Sequence, residues 1–151
     1  IPALYGDCII LSGQATLSFG AISSGSVEIL MDNTVDVAGF QFELQDYPDE
    51  LDIIDAFGGS AEENGFSIST NESGTILGFS LNGYSIPSGS SPLLTLSVSG
   101  SGSPSICLNN AIISDTVGNP LSVSYGDCST AILSEPGDLN GDGLIDLLDI
   151  Q

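Results

Sequence analysis

Short apolar stretches in which every second residue is polar fill most of the chain, separated by Gly, Ser, Asn and Pro. Phe40, Phe42 and Leu44 alternate with Gln41, Glu43 and Gln45, and Leu94, Leu96 and Val98 alternate with Thr95, Ser97 and Ser99. Residues two apart share one face of a strand, so this period sends one face into a core and leaves the other in water. Turn signals such as Asn82-Gly83 and the run from Ser99 to Pro104 recur about every eight to twelve residues. The pattern predicts strands at 15–22, 26–33, 37–45, 51–57, 66–70, 75–82, 92–99, 105–114 and 120–126. That many short strands in 151 residues make one all-β domain, an antiparallel jelly-roll β-sandwich. No helix is expected before residue 145.

The charge is one-sided: 20 acidic residues and no Lys, Arg or His give a formal net charge of −20. Without a basic side chain there is no phosphate clamp, nucleic-acid groove or polybasic membrane patch. Without His there is no Ser-His or Cys-His nucleophile pair and no imidazole metal site. Protein salt bridges between side chains are likewise impossible, so any neutralising cation has to come from solution. A hydrophobic content of 41% supplies enough Ile, Leu, Val and Phe for a core, which argues against disorder. No apolar run is long enough to span a bilayer as a helix. No leader sequence is evident at Ile1, so a processed or partial secreted chain is expected.

Composition shifts at 134–137, Ser-Glu-Pro-Gly, which reads as a linker. Residues 138–149 then read Asp-Leu-Asn-Gly-Asp-Gly-Leu-Ile-Asp-Leu-Leu-Asp. A twelve-residue calcium loop needs side-chain oxygens at its first, third, fifth, ninth and last positions, and a backbone carbonyl at the seventh. Asp138, Asn140, Asp142, Asp146 and Asp149 fall on those positions, and Leu144 offers the carbonyl. Gly143 stands where such a loop turns sharply, and Ile145 is the apolar anchor. Ca²⁺ is therefore the expected ion. The last ligand is Asp149 where an ordinary EF-hand has a bidentate Glu. Loops ending in Asp resemble the dockerin repeat, a calcium loop with a helix that normally occurs in tandem; one loop is present here, reaching Gln151.

The body of the chain resembles a cohesin over roughly residues 15–126. The resemblance lies in Ser26-Val-Glu-Ile-Leu, Val37-Ala-Gly-Phe-Gln-Phe-Glu-Leu and Asp49-Glu-Leu-Asp-Ile-Ile-Asp. It continues in Pro92-Leu-Leu-Thr-Leu-Ser-Val and Asn110-Ala-Ile-Ile-Ser-Asp-Thr-Val-Gly-Asn. That resemblance implies a nine-stranded jelly roll that binds dockerins and has no catalytic residues. The organisation expected is an extended arm over 1–14, a sandwich over 15–133, the linker, and a partial dockerin-like loop over 138–151.

Three cysteines are present: Cys8, Cys107 and Cys128. Cys107 and Cys128 lie equally far from the turn at 116–119, so an in-register hairpin sets them opposite each other and a cross-strand or inter-sheet disulfide is expected. Cys8 is then left over, within Tyr5-Gly6-Asp7-Cys8, a repeat of Tyr125-Gly126-Asp127-Cys128. The apolar N-terminal stretch is of the kind that adds a strand to a neighbour's sheet. Asn71-Glu72-Ser73 is an N-glycosylation sequon. Asp46, Asp49, Glu50, Asp52 and Asp55, with Glu62-Glu63, are the only candidates for paired-carboxylate chemistry; a chain with no Trp and four Tyr lacks the sugar platforms of a glycosidase, and a solvated acidic face is the expected reading. Asp32 with Asp36, or the 46–55 group, offers an unspecific second cation site. Asp115 with Asn119 reads as turn chemistry.

The expected function is a non-enzymatic extracellular structural subunit that assembles head to tail into a filament or surface layer, through arm and calcium loop. The alternative is a cohesin/dockerin scaffold module of a cellulosome-like complex, its partner a cohesin- or dockerin-bearing protein. A carbohydrate-binding sandwich is the second alternative.

Overall fold

The computed structural model describes residues 13–49, 51–71 and 73–133. Two five-stranded sheets face each other. The first runs in the order β4 (Leu51–Phe57), β7 (Gly89–Gly100), β2 (Ser26–Asn33), β1 (Gln14–Ser23), β9 (Ser122–Tyr125). The second runs β10 (Ser129–Thr130), β8 (Ser105–Asp115), β3 (Val37–Tyr47), β6 (Thr75–Phe79), β5 (Ser67–Thr70). All pairings are antiparallel except β1 with β9.

The period-two pattern explains the core. Val27, Ile29 and Met31 of β2, Phe42 and Leu44 of β3, and Leu94, Leu96 and Val98 of β7 all point between the sheets and are buried. A bulge opposite Ile29 and Leu30 lets the consecutive Leu93 and Leu94 both be buried. Pro92 is tolerated there because β4 ends at Phe57, paired with Thr95, so β7 is locally an edge that needs no donor. Phe40 stacks on Phe42 and on Phe66, each at 6.0 Å between centroids. Gly78 makes room for that ring: a Cβ on it would fall 2.2 Å from Phe40 Cζ.

Three expectations need correction. A one-turn helix, α1 (Gly59–Glu63), follows β4 where no helix is expected. A single buried pair, Ser60 and Ala61, leaves no helical period to read, and the turn is held by Gly58 N–H donating to Glu62 Oε1 at 2.6 Å. Gly59 has φ +66, and a Cβ on it would meet the Leu93 carbonyl oxygen at 2.3 Å. Second, β6 ends at Phe79, so Asn82-Gly83 lies in a loop and not at the end of the strand.

The third concerns the disulfide. Cys107 and Cys128 are bonded, at 4.4 Å between Cα atoms, but no continuous hairpin joins them. After Leu121 N–H donates to the Ile113 carbonyl, the chain leaves for the opposite sheet, where β9 runs parallel to β1 from Gln14↔Ser122 to Leu17↔Tyr125. It then returns as β10, where Ser129↔Ile106 and Thr130↔Ser105, one residue out of step with the earlier Ser114↔Pro120 bridge, place Cys128 across from Cys107.

The described domain opens and closes at opposite poles. Gly13 and Gln14 sit beside Ser122 and Thr34 at the start of β1. At its far end the Ser24–Gly25 turn bonds Ile132, and Leu133 N–H donates to the Gly102 carbonyl. Ala131 and Leu133 are buried there, plugging that end of the core.

Candidate partner-binding face

The residues of β3, β6 and β8 that point away from the core form one outer face. The ladder registers place Ser69, Leu77, Gln41 and Ile112 in one row across four strands, and Ser67, Phe79, Gly39 and Ser114 in the next. Leu77 and Phe79 are each 39% exposed and Ile112 is 61% exposed. Since Gln41 pairs with both Leu77 and Ile112, these two stand two strand spacings apart, about 10 Å, with Phe79 about 7 Å along β6. Gly39 leaves the middle of the strip without a side chain. Apolar side chains grouped on an outer face gain nothing from the core and point to a contact surface.

One margin of this strip is polar and acidic. Glu43 lies in the next row and accepts a hydrogen bond from Asn110 Nδ2 at 3.0 Å. Asn110 has φ +52, within the irregular register of β3 with β8 between Gln41 and Glu43. The Ala111 N–H beside it donates to Tyr125 Oη at 2.8 Å, a bond from the outer ladder to the other sheet's edge strand.

The remaining candidates are scattered. Asp46, Asp49 and Asp52 border a cleft of about 710 Å³ with Thr70, Asn71 and Ser73. Asp55 Oδ1 accepts the Ala56 N–H and Glu62 serves the α1 turn, so the acidic residues are divided between places. Among the described residues no three acidic or cysteine side chains converge to hold a cation, whether at Asp32 and Asp36 or in the 46–55 group. Asp36 accepts the Ser88 N–H instead. Asp115 does turn chemistry with Asn119: its Oδ1 accepts the N–H groups of Val117 and Asn119 at 3.0 and 2.9 Å. Asn71 is exposed in the β5–β6 turn and its Oδ1 accepts from Ser73 and Thr75. Asp138, Asn140, Asp142, Leu144, Asp146, Asp149, Glu50, Cys8 and nearly all of the 1–14 arm lie outside the described residues.

The sequence does not single out Leu77, Phe79 and Ile112. Thr75-Ile-Leu-Gly-Phe is apolar on both faces and Ile112-Ile113 are consecutive, so period alone cannot say which side faces out; only the pairing of β6 and β8 with β3 decides it.

Two five-stranded layers in this order form a β-sandwich, and its likeness among solved structures is to cohesins. No protein-family model matches the chain, and no curated protein does. Solved structures do. A non-cellulosomal cohesin from the archaeon Archaeoglobus fulgidus aligns over 81% of this chain and 92% of its own, at 19% identity and TM-score 0.60. A cohesin from Clostridium thermocellum, solved in a type I cohesin–dockerin complex, covers 85% and 97% at 12% identity and TM-score 0.58. The third cohesin of the Acetivibrio cellulolyticus protein ScaC, solved with a dockerin, covers 81% and 99% at 17% identity and TM-score 0.58. Among the described residues no helix is long and apolar enough to cross a membrane.

Proposed function

We propose that this chain is an extracellular, non-enzymatic recognition module that holds a dockerin-type partner on the outer face of the β8–β3–β6–β5 sheet. The apolar strip of Leu77, Phe79 and Ile112 carries the reading, supported by the likeness to cohesins solved with dockerins. Charge says what kind of partner fits. With a net charge of −20 and no basic residue, two copies of this chain have no side-chain charge complement for each other. A partner that sets Lys or Arg around an apolar helix face gains attraction and a faster encounter. That favours a scaffold role, docking a foreign protein, over a homopolymer.

One observation keeps the filament as a second reading. Residues 13 and 133 leave the sandwich at opposite poles, which is the geometry a head-to-tail array needs. In that reading the loop at 138–149 holds Ca²⁺ through Asp138, Asn140, Asp142, the Leu144 carbonyl, Asp146 and Asp149, and calcium supplies the missing positive charge.

The test is calorimetric titration of the chain with a panel of recombinant dockerins in calcium, alongside negative-stain microscopy of the chain alone with calcium and with EGTA. Binding that Ile112→Asp weakens by about a hundredfold, with the unfolding midpoint unchanged, is the expected result. EGTA-sensitive filaments with no dockerin binding would overturn the scaffold reading in favour of self-assembly.

A further inference from the structure

A groove unrelated to the docking face runs between α1 with its following turn and the segment 83–91, the loop before β7 and its first residues. One lobe, about 570 Å³, is lined by Glu62, Glu63, Asn64, Tyr84 and Ser85; a second, about 500 Å³, shares Glu63 and Asn64 and continues past Ser60 to Ser88 and Ser90. Both walls are fixed before any ligand arrives. On one side Ala61 and Phe66 are buried, with Phe66 stacked on Phe40, and Phe66 N–H donates to the Ala61 carbonyl. On the other, Ile86 exchanges two backbone bonds with Val37 at 2.8 and 2.9 Å. The buried Asn33 Nδ2 donates to the Pro87 carbonyl, and Ser88 N–H donates to Asp36.

The chemistry of the lining is specific. Tyr84 is 58% exposed, its ring edge against Gly65. The Glu63 carboxylate and the Ser85 and Ser88 hydroxyls make no hydrogen bond among the described residues. Ser60 is 92% buried in the groove wall, and its Oγ has no hydrogen-bond partner. That hydroxyl is sealed beneath the groove wall, a cost carried by the fold itself. An aromatic ring, a planar carboxylate, an amide and several hydroxyls in a preformed trough suit a ligand with an apolar ring face edged by hydroxyl groups. Glu62 and Glu63, with no basic residue anywhere in the chain, repel anionic sugars.

We propose that this groove binds a neutral oligosaccharide, stacked on Tyr84 and hydrogen-bonded by Glu63, Asn64 and the serines, independently of the outer face of the other sheet. The module would then hold a protein on one surface and a glycan on another.

The test is NMR or calorimetric titration of the full chain with β-1,4-linked gluco-, xylo- and manno-pentaose, with a polygalacturonate oligomer as the anionic control. At least one neutral sugar is expected to bind, and Tyr84→Ala to weaken it by about tenfold. Glu63→Gln should weaken it less. Leu77→Asp should leave sugar binding intact. The proposal is overturned by no response from any neutral sugar up to about 10 mM, by binding indifferent to Tyr84→Ala, by equal binding of polygalacturonate, or by resonances of the groove that answer to calcium alone.

Discussion

Replacing both Cys107 and Cys128 by serine tests how the C-terminal end of the sandwich is held. The bond closes a separation of 21 residues that includes the crossing to β9 and back. In the chain-entropy treatment a loop of that length lowers the unfolded state's entropy by about 11 cal/mol/K, worth about 3 kcal/mol at 25 °C. The native state also loses the tether that keeps β10, only two residues long, in register beside β8. For a domain of this size that corresponds to a fall of about 10 °C or a little more in the unfolding midpoint. The assay is calorimetry or far-UV circular dichroism in urea, since the chain has no Trp to report by fluorescence. The double substitution is essential, because a single one frees a thiol to pair with Cys8. A double variant whose midpoint stays within about 2 °C of the parent would refute the argument. So would peptide mapping that found Cys8 bonded to either cysteine in the parent.

Gly78→Ala places a Cβ 2.2 Å from Phe40 Cζ and should cost about 1–3 kcal/mol by overpacking, read as a lower urea midpoint; Phe40→Leu in the same background should recover part of it. Every formal side-chain charge has one sign, so added salt should raise the unfolding midpoint by screening self-repulsion, where a surface of paired charges would lose stability. A midpoint lower at 0.5 M than at about 0.01 M sodium chloride would contradict this.

Much of the sandwich is legible because alternation is a local signal. The strands at 26–33 and 51–57 match the structure residue for residue, and β3 and β8 begin where the pattern begins. What escapes is nonlocal. The parallel run of β9 on β1 depends on which sheet the chain rejoins after Leu121, and nothing within Ser122–Tyr125 encodes that choice. The expected cysteine pairing is found although the hairpin is interrupted: β10 returns to β8 one residue out of step with the Ser114↔Pro120 bridge, in the register that sets Cys128 opposite Cys107. The outer apolar strip is hidden for a similar reason: Leu77 and Phe79 look like core until Ile76 and Gly78 are seen to occupy the inner side. The groove needs two segments about twenty residues apart, each unremarkable alone.

The poles of the sandwich make it a ruler. β1 runs from one to the other through ten residues, so each domain advances a chain by about 30 Å along its strands. Leu77, Phe79 and Ile112 lie on the flank, roughly at right angles to that axis, and the chain passes through the ends without crossing them. In the proposed role, a partner held on that flank would sit beside the chain's path and leave both ends of the sandwich uncovered.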